Sequence, residues 1–233
     1  MGIALVTGGS RGIGKAIAEK LKKLGYNTVI DYISSTNQAE IMAENGFYTV
    51  KADVSDIAQV EEMFAKIHQK FGAVDLLVNN AGIALKQKVF LDVTNEEFDR
   101  LFAVDVKGVF NCSKLAVNDM LKLGHGKIIN ISSIWGDEGG ACEACYSAAK
   151  GAVIAFTKSL AKELDGVIEV NAILPSFIDT DMNAHLSKED KQNFMVEQGL
   201  KRLATVEDIA NEVEKLVLSS TSGELVKVYG EKI

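Results

Sequence analysis

Tyr146 and Lys150 stand four residues apart in Tyr146-Ser147-Ala148-Ala149-Lys150, so on a helix they share one face, one turn from each other. An ammonium beside a phenol favours the phenolate and lowers the tyrosine pKa. That makes a proton donor or acceptor usable near neutral pH. Ser133 closes the apolar run Lys127-Ile128-Ile129-Asn130-Ile131-Ser132, and a serine delivered by a strand end can hold the oxygen that receives the proton. Tyr-x-x-x-Lys alone also fits a surface helix with one buried aromatic. The other motifs of the chain decide between the two.

Thr7-Gly8-Gly9-Ser10-Arg11-Gly12-Ile13-Gly14 sits between an apolar strand candidate and a helical pattern. Glycines there permit a tight turn and close backbone approach, and the helix N-terminus offers free N–H groups to a pyrophosphate. Asn79-Asn80-Ala81-Gly82 ends a later strand, where small and amide side chains suit a ribose or base and a brace between strands. Asp53-Val54 ends another; Asp53 either accepts from an adenine amine or caps the helix that starts at Ile57, and both readings are compatible.

The elements that must position these groups follow from periodicity. Strands are expected at 3–7, 28–33, 47–51, 74–79, 127–132, 167–174 and 225–228. Helices are expected at 12–24, 37–44, 57–71, 146–164, 188–198 and 206–218, with a short and a long helix inside 95–123. Alternation of near-continuous apolar strands with helices implies an α/β fold: a Rossmann-type, doubly wound, seven-stranded parallel sheet covered on both faces. No linker or repeat interrupts it, so residues 1–233 read as one domain. The polar segment 176–199 follows the sixth strand at the end where such sheets bind ligands, and reads as a substrate lid or as a surface helical hairpin.

Composition narrows the function classes. The chain has 233 residues, 47% hydrophobic and 24% charged, as expected for a soluble globular protein. A net charge of −7 with no basic run argues against nucleic acid as a partner. The start of the chain shows no signal peptide and no run reaches membrane-spanning length, so no membrane partner and a cytoplasmic location are expected. Three cysteines, Cys112, Cys142 and Cys145, make no disulfide framework. The lone Cys142-x-x-Cys145 pair is a poor zinc site, and no metal is expected.

Thr7-Gly8-x-x-x-Gly12-x-Gly14, Asn79-Asn80-Ala81-Gly82, Ser133, Tyr146-x-x-x-Lys150 and the segment 175–180 occur in the order and spacing of the short-chain dehydrogenases/reductases, and the resemblance covers essentially the whole chain. Within that family the chain looks most like the 3-oxoacyl-[acyl-carrier-protein] reductases, on the strength of Ser10-Arg11-Gly12-Ile13-Gly14, residues 78–83, 126–133 and 178–182. The resemblance implies that Tyr146 is the catalytic acid. It implies that Lys150 tunes Tyr146 and binds the nicotinamide ribose, and that Ser133 holds the substrate carbonyl. Asp105 falls where the family has a catalytic Asn that positions a water in a proton relay, with Asn111 nearby at a different point of the pattern. Gly8, Ser10, Arg11, Gly12, Ile13, Gly14, Tyr32, Ser34, Asp53, Val54, Asn80, Ala81, Gly82, Pro175, Ile178 and Thr180 would bind the cofactor together with Tyr146 and Lys150. Asn171 is expected near the end of the sixth strand.

Three departures carry expectations of their own. An Asp105 carboxylate near Lys150 would stabilise the ammonium and raise the Tyr146 pKa. Ser176 replaces the usual Gly after the proline and narrows the cofactor approach. Basic residues that would dock an acidic carrier protein are missing, since the matching positions read Gly124 and Asp165, with Lys122 and Lys127 only nearby. NAD-specific members carry an Asp where Tyr32 stands. Asp31, one residue earlier, should point to the other face. With Arg11 and Ser34 able to cradle a 2′-phosphate, NADP(H) is preferred and NAD(H) remains possible. The expected reaction is NADPH-dependent reduction of a 3-oxoacyl thioester. Alternatives are an acyl-CoA, sugar, steroid or other small carbonyl substrate, or a dinucleotide-binding regulator without catalysis. Relatives pair the long helices at 98–123 and 146–164 into homotetramers or homodimers.

Overall fold

The computed structural model of the protein describes residues 2–178 and 187–232. Seven strands form one sheet: β1 (Ile3–Val6), β2 (Asn27–Tyr32), β3 (Tyr48–Lys51), β4 (Leu76–Asn79), β5 (Gly126–Ile131), β6 (Ile168–Pro175) and β7 (Leu225–Val228). Their order is β3-β2-β1-β4-β5-β6-β7 and every neighbouring pair is parallel. The chain winds outward from β1 in one direction and from β4 in the other, so the carboxyl ends of β1 and β4 flank a switch point.

Near-continuous burial of β1, β4 and β5 follows from helices on both faces. On one face α1 (Gly12–Lys23) and α9 (Val206–Leu218) pack Ile17, Leu21, Ile209 and Val213 against Ala4, Val6, Val78 and Ile129. On the other, α3 (Ile57–Lys70), α5 (Gly108–Leu123) and the end of α7 (Ala144–Glu163) pack Phe64, Ile67, Met120 and Ala161 against Leu5, Val29, Leu77 and Ile128. α2 (Thr36–Glu44) covers the β2–β3 crossover, and α8 (Lys188–Glu197) lies in the segment expected to be a lid. Capping boxes at Thr94, Ser187 and Thr205 start α4 (Asn95–Phe102), α8 and α9.

Three features were not in the periodicity. α6 (Trp135–Glu138) is a single turn just after Ser133. Residues Ala103–Lys107, between α4 and α5, form one π-helical turn. A 3-10 turn runs from Phe90 to Asp92. The structure also corrects the cap of α3. Asp56, not Asp53, accepts the Ala58 N–H at 3.0 Å, and Asp53 lies beyond the end of β3. Gly124 and Asp165, the positions matched to carrier-docking residues, precede β5 and β6 at the amino ends of the strands and so do not flank a cleft at the carboxyl ends. Among the described residues, no helix is long and apolar enough to cross a membrane.

Candidate active site

A cleft of about 310 Å³ opens at the carboxyl ends of the strands, within the usual size range of small-molecule sites. It is lined by Gly8, Ser10, Arg11, Gly12, Ile13 and Gly14 from the first turn, and by Tyr32, Ser34, Asp53 and Val54 from the β2 and β3 ends. Asn80, Ala81, Gly82, Asp105, Ser133, Tyr146, Lys150, Pro175, Ser176 and Ile178 also line it, and so does Asp31, which strand alternation had turned to the other face. All candidate residues from the sequence thus meet in one cavity, apart from Thr180, which lies outside the described residues.

The Gly-rich turn is built for a close approach. Gly8 has φ +62°, and a Cβ there would sit 3.0 Å from Ala81 Cα. A Cβ on Gly14 would meet Asn80 Nδ2 and the Gly8 carbonyl, at 2.4 Å each, so only glycine fits. Asn80 locks this turn. Its Nδ2 donates to the Thr7 carbonyl at 2.8 Å, and its own N–H donates to Thr7 Oγ1 at 2.9 Å. α1 starts at Arg11 without a side-chain cap, leaving first-turn N–H groups for an anion.

Asp31 turns under this loop. Its Oδ1 accepts the Gly8 N–H at 2.6 Å, its main-chain oxygen accepts the Gly9 N–H at 3.0 Å, and it is 2% exposed. Burial raises its pKa from 3.8 to about 7; the Gly8 N–H opposes this and the Asp53 charge adds to it. A folded pKa above the unfolded value favours the folded state fully below about pH 4, and that contribution is lost as pH rises through about 7. Asp31→Asn keeps the acceptor for Gly8 and removes the charge. It is expected to raise unfolding stability by on the order of 2–4 kcal/mol at pH 8 and to change it little at pH 4. Urea unfolding at both pH values checks this, and an equal change at both would contradict it.

The proton-transfer end is held as tightly. Lys150 and Asp105 are both buried, with Lys150 Nζ 3.0 Å from Asp105 Oδ2. Asp105 Oδ1 accepts the Ile83 N–H at 2.8 Å. Gly82 makes room for the pair, since a Cβ there would lie 2.9 Å from Asp105 Oδ2 and 3.3 Å from Lys150 Nζ. Lys150 Nζ also donates to the Ile131 carbonyl at 3.3 Å and lies 5.6 Å from the centre of the Tyr146 ring. The π-helical turn carries Asp105 into this position; such turns recur at functional sites. Asn111 is elsewhere, donating to the Val54 carbonyl at 2.9 Å.

The Tyr146 pKa is raised, contrary to the lowering that a Tyr-Lys pair alone suggests. Burial dominates; Lys150 and a Ser133 hydrogen bond pull the value down, and the Asp105 and Glu143 charges push it up. Lys150 is also raised, because Asp105 and Tyr146 outweigh burial, so its ammonium persists. Ser133 Oγ accepts the Trp135 N–H at 3.2 Å from the α6 turn, and Ser132 Oγ donates to the Lys150 carbonyl at 2.8 Å.

Other predicted residues have structural roles. Asn171 braces β7, donating to the Thr221 carbonyl at 2.8 Å and accepting the Glu224 N–H at 2.9 Å. Cys142 is exposed with φ +61°, whereas Cys145 is buried against Leu101 and Ala149. Among the described residues, no group of His, Cys, Asp or Glu could hold a metal. The cleft also takes in Arg100 of α4, which no motif had flagged.

The pattern of the family described as short chain dehydrogenase matches residues 2–191. The chain belongs to the short chain dehydrogenase family. It is an NAD(P)-dependent oxidoreductase of that family. It is 38% identical to the 3-oxoacyl-[acyl-carrier-protein] reductase FabG of Staphylococcus aureus (strain Mu50 / ATCC 700699) over 97% of this chain and 96% of that one. It is 39% identical to the protein of the same name from Escherichia coli (strain K12), over 99% of this chain and 94% of that one.

The cleft fits a nicotinamide dinucleotide by its own geometry. The first turn of α1, next to the Gly-rich turn, has no side-chain cap, so its N–H groups remain for a pyrophosphate. At the opposite end, the buried Ser176 hydroxyl lines the cleft and has no hydrogen-bond partner, as expected of a group that awaits a ligand.

Proposed function

We propose that this protein reduces a 3-oxoacyl thioester to the 3-hydroxyacyl product with NADPH, and that Tyr146 is the acid. The reading rests on one juxtaposition: Ser133, Tyr146 and Lys150 share a cleft with the Gly-rich turn. Gly8, Ser10, Gly12, Ile13 and Gly14 would hold the pyrophosphate region, and Asn80, Ala81, Gly82, Lys150, Pro175 and Ile178 the nicotinamide half. A bound nicotinamide supplies a hydride to the substrate carbonyl carbon. Ser133 orients the carbonyl oxygen and stabilises its developing charge. Tyr146 stays a neutral phenol at neutral pH and gives its proton to that oxygen. Lys150, kept as an ammonium by Asp105, stabilises the phenolate that remains.

NADP(H) is favoured by the β2 end of the cleft. Tyr32 stands at the end of the strand, and Arg11 and Ser34 line the cleft beside it. The carboxylates there are engaged, Asp31 by Gly8 and Asp53 by Ser55 and Arg100. The names of the relatives suggest a carrier-protein substrate. The net charge of −7 gives an acidic carrier little general attraction, which keeps an acyl-CoA or another small carbonyl as the alternative substrate. Residues 1–233 would act as one domain in which 176–199 covers the substrate. Steady-state rates with acetoacetyl-CoA, an acyl-carrier-protein thioester and other carbonyls, each with NADPH and NADH, test the reading. Turnover of the thioesters with NADPH supports it, and tight NADPH binding without turnover on any carbonyl would show a regulator instead.

Asp105 sets the pH range. Asp105→Asn removes a charge that raises both Tyr146 and Lys150, so both pKa values fall. The neutral phenol needed for reduction is then lost at lower pH, and the phenolate needed for alcohol oxidation forms at lower pH. The variant is expected to shift the alkaline limb of reduction and the oxidation optimum toward acid. Superimposable pH–rate profiles would sink this account.

An apolar groove formed by Phe102, Val106, Val109 and Phe110 with Val153 and Phe156 supports pairing of the long helices between copies. A homodimer or homotetramer is therefore proposed, to be sized by light scattering.

A further inference from the structure

Arg100 sits on α4, outside every motif, yet reaches across to the turn after β3. Its NH2 donates to Asp53 Oδ2 and its NH1 to Ser55 Oγ, both at 3.1 Å. The guanidinium is about half exposed, and an ion pair of that kind adds little to stability, so folding alone gives it no evident purpose. Its position does: it lines the cleft at the end formed by Tyr32, Ser34, Asp53 and Val54.

The acceptors of Asp53 point to what belongs there. Oδ1 takes the Ser55 N–H at 2.9 Å and the Ser55 hydroxyl at 2.6 Å, and Oδ2 takes Arg100. A carboxylate has about four acceptor positions, so one remains, on the oxygen that Arg100 fixes. Against burial, the two Ser55 hydrogen bonds and then Arg100 hold the Asp53 carboxyl below its ordinary value, so it stands as a charged acceptor. A single acceptor suits an exocyclic amine. The guanidinium spends its edge on Asp53 and Ser55, which leaves its planar face for a flat ring.

We propose that Arg100 is a base-binding residue: it forms the outer wall of the nucleoside end of the cleft, stacks on the purine of a bound dinucleotide and aims Asp53 at the purine amine. This rests on the dinucleotide reading above. It assigns the purine, not the 2′-phosphate, to Arg100, and leaves the phosphate to Arg11 and Ser34.

Calorimetric titration of NADPH and NADH into the wild type, Arg100→Ala and Arg100→Lys tests this without any turnover. Arg100→Ala is expected to weaken both dinucleotides by the same factor, about tenfold, with the thermal transition of the unliganded protein unchanged. Arg100→Lys, which keeps charge but not the plane, should recover less than half of the loss on a logarithmic scale. Unchanged affinities, a loss confined to NADPH, or full recovery by lysine would overturn the proposal. A wild type that binds neither dinucleotide would overturn the cofactor reading itself, an outcome distinct from all of these.

Discussion

Lys150→Met is expected to lower the Tm by roughly 10 °C, a larger loss than most single substitutions cause. Lys150 and Asp105 form a buried pair with Nζ–Oδ2 3.0 Å, and Asp105 has no solvent exposure at all. Removing the cation leaves Asp105 with only the Ile83 N–H, so a carboxylate must stay charged without a counter-ion or take up a proton. Breaking such a pair from one side costs about 3–5 kcal/mol, although the intact pair adds little to stability. The double substitution Lys150→Met with Asp105→Asn removes the charge and keeps the acceptor for Ile83. It should therefore be more stable than Lys150→Met alone. Calorimetric melting of the wild type and the two variants checks the order. A single variant as stable as wild type, or a double variant no more stable than the single, would show that the pair is not coupled as its geometry indicates.

Most of the framework was legible because strand-helix alternation, glycine punctuation and motif order each report on backbone events local in sequence. Gly8 and Gly14 are needed where a backbone turn must pass close to Asn80 and Ala81, and no other residue fits. The expected Asp105–Lys150 contact was also found, because the family's motif pattern places an acid here where a neutral amide usually stands. The placement of Asp31 was less so. Period-2 alternation assigned it a face but could not show that the face ends beneath Gly8, where carboxylate and loop N–H meet. The net direction of the Tyr146 shift needed burial, which no spacing rule supplies. Asp53 was read partly as a helix cap, whereas Asp56 takes that task three residues later. Arg100 escaped because its partners are 45 and 47 residues away and its own segment reads as an ordinary amphipathic helix. The π-helical turn at Ala103–Lys107 has no composition signal, yet it carries Asp105 to Lys150.

The central claim is that Tyr146 supplies the proton in a dinucleotide-dependent reduction. Tyr146→Phe keeps the ring beside Lys150 and deletes only the acidic hydroxyl, one cofactor contact among many, so the cleft should still bind NADPH within about tenfold of wild type. Turnover of a 3-oxoacyl thioester should fall by about 10³-fold, the range expected for loss of a positioned general acid. The most direct measurement pairs the NADPH dissociation constant with kcat for wild type and Tyr146→Phe on the same thioester. A fall in kcat of about a thousandfold with NADPH affinity within about tenfold of wild type is the predicted result; a variant that turns over within a few fold of wild type would contradict the assignment.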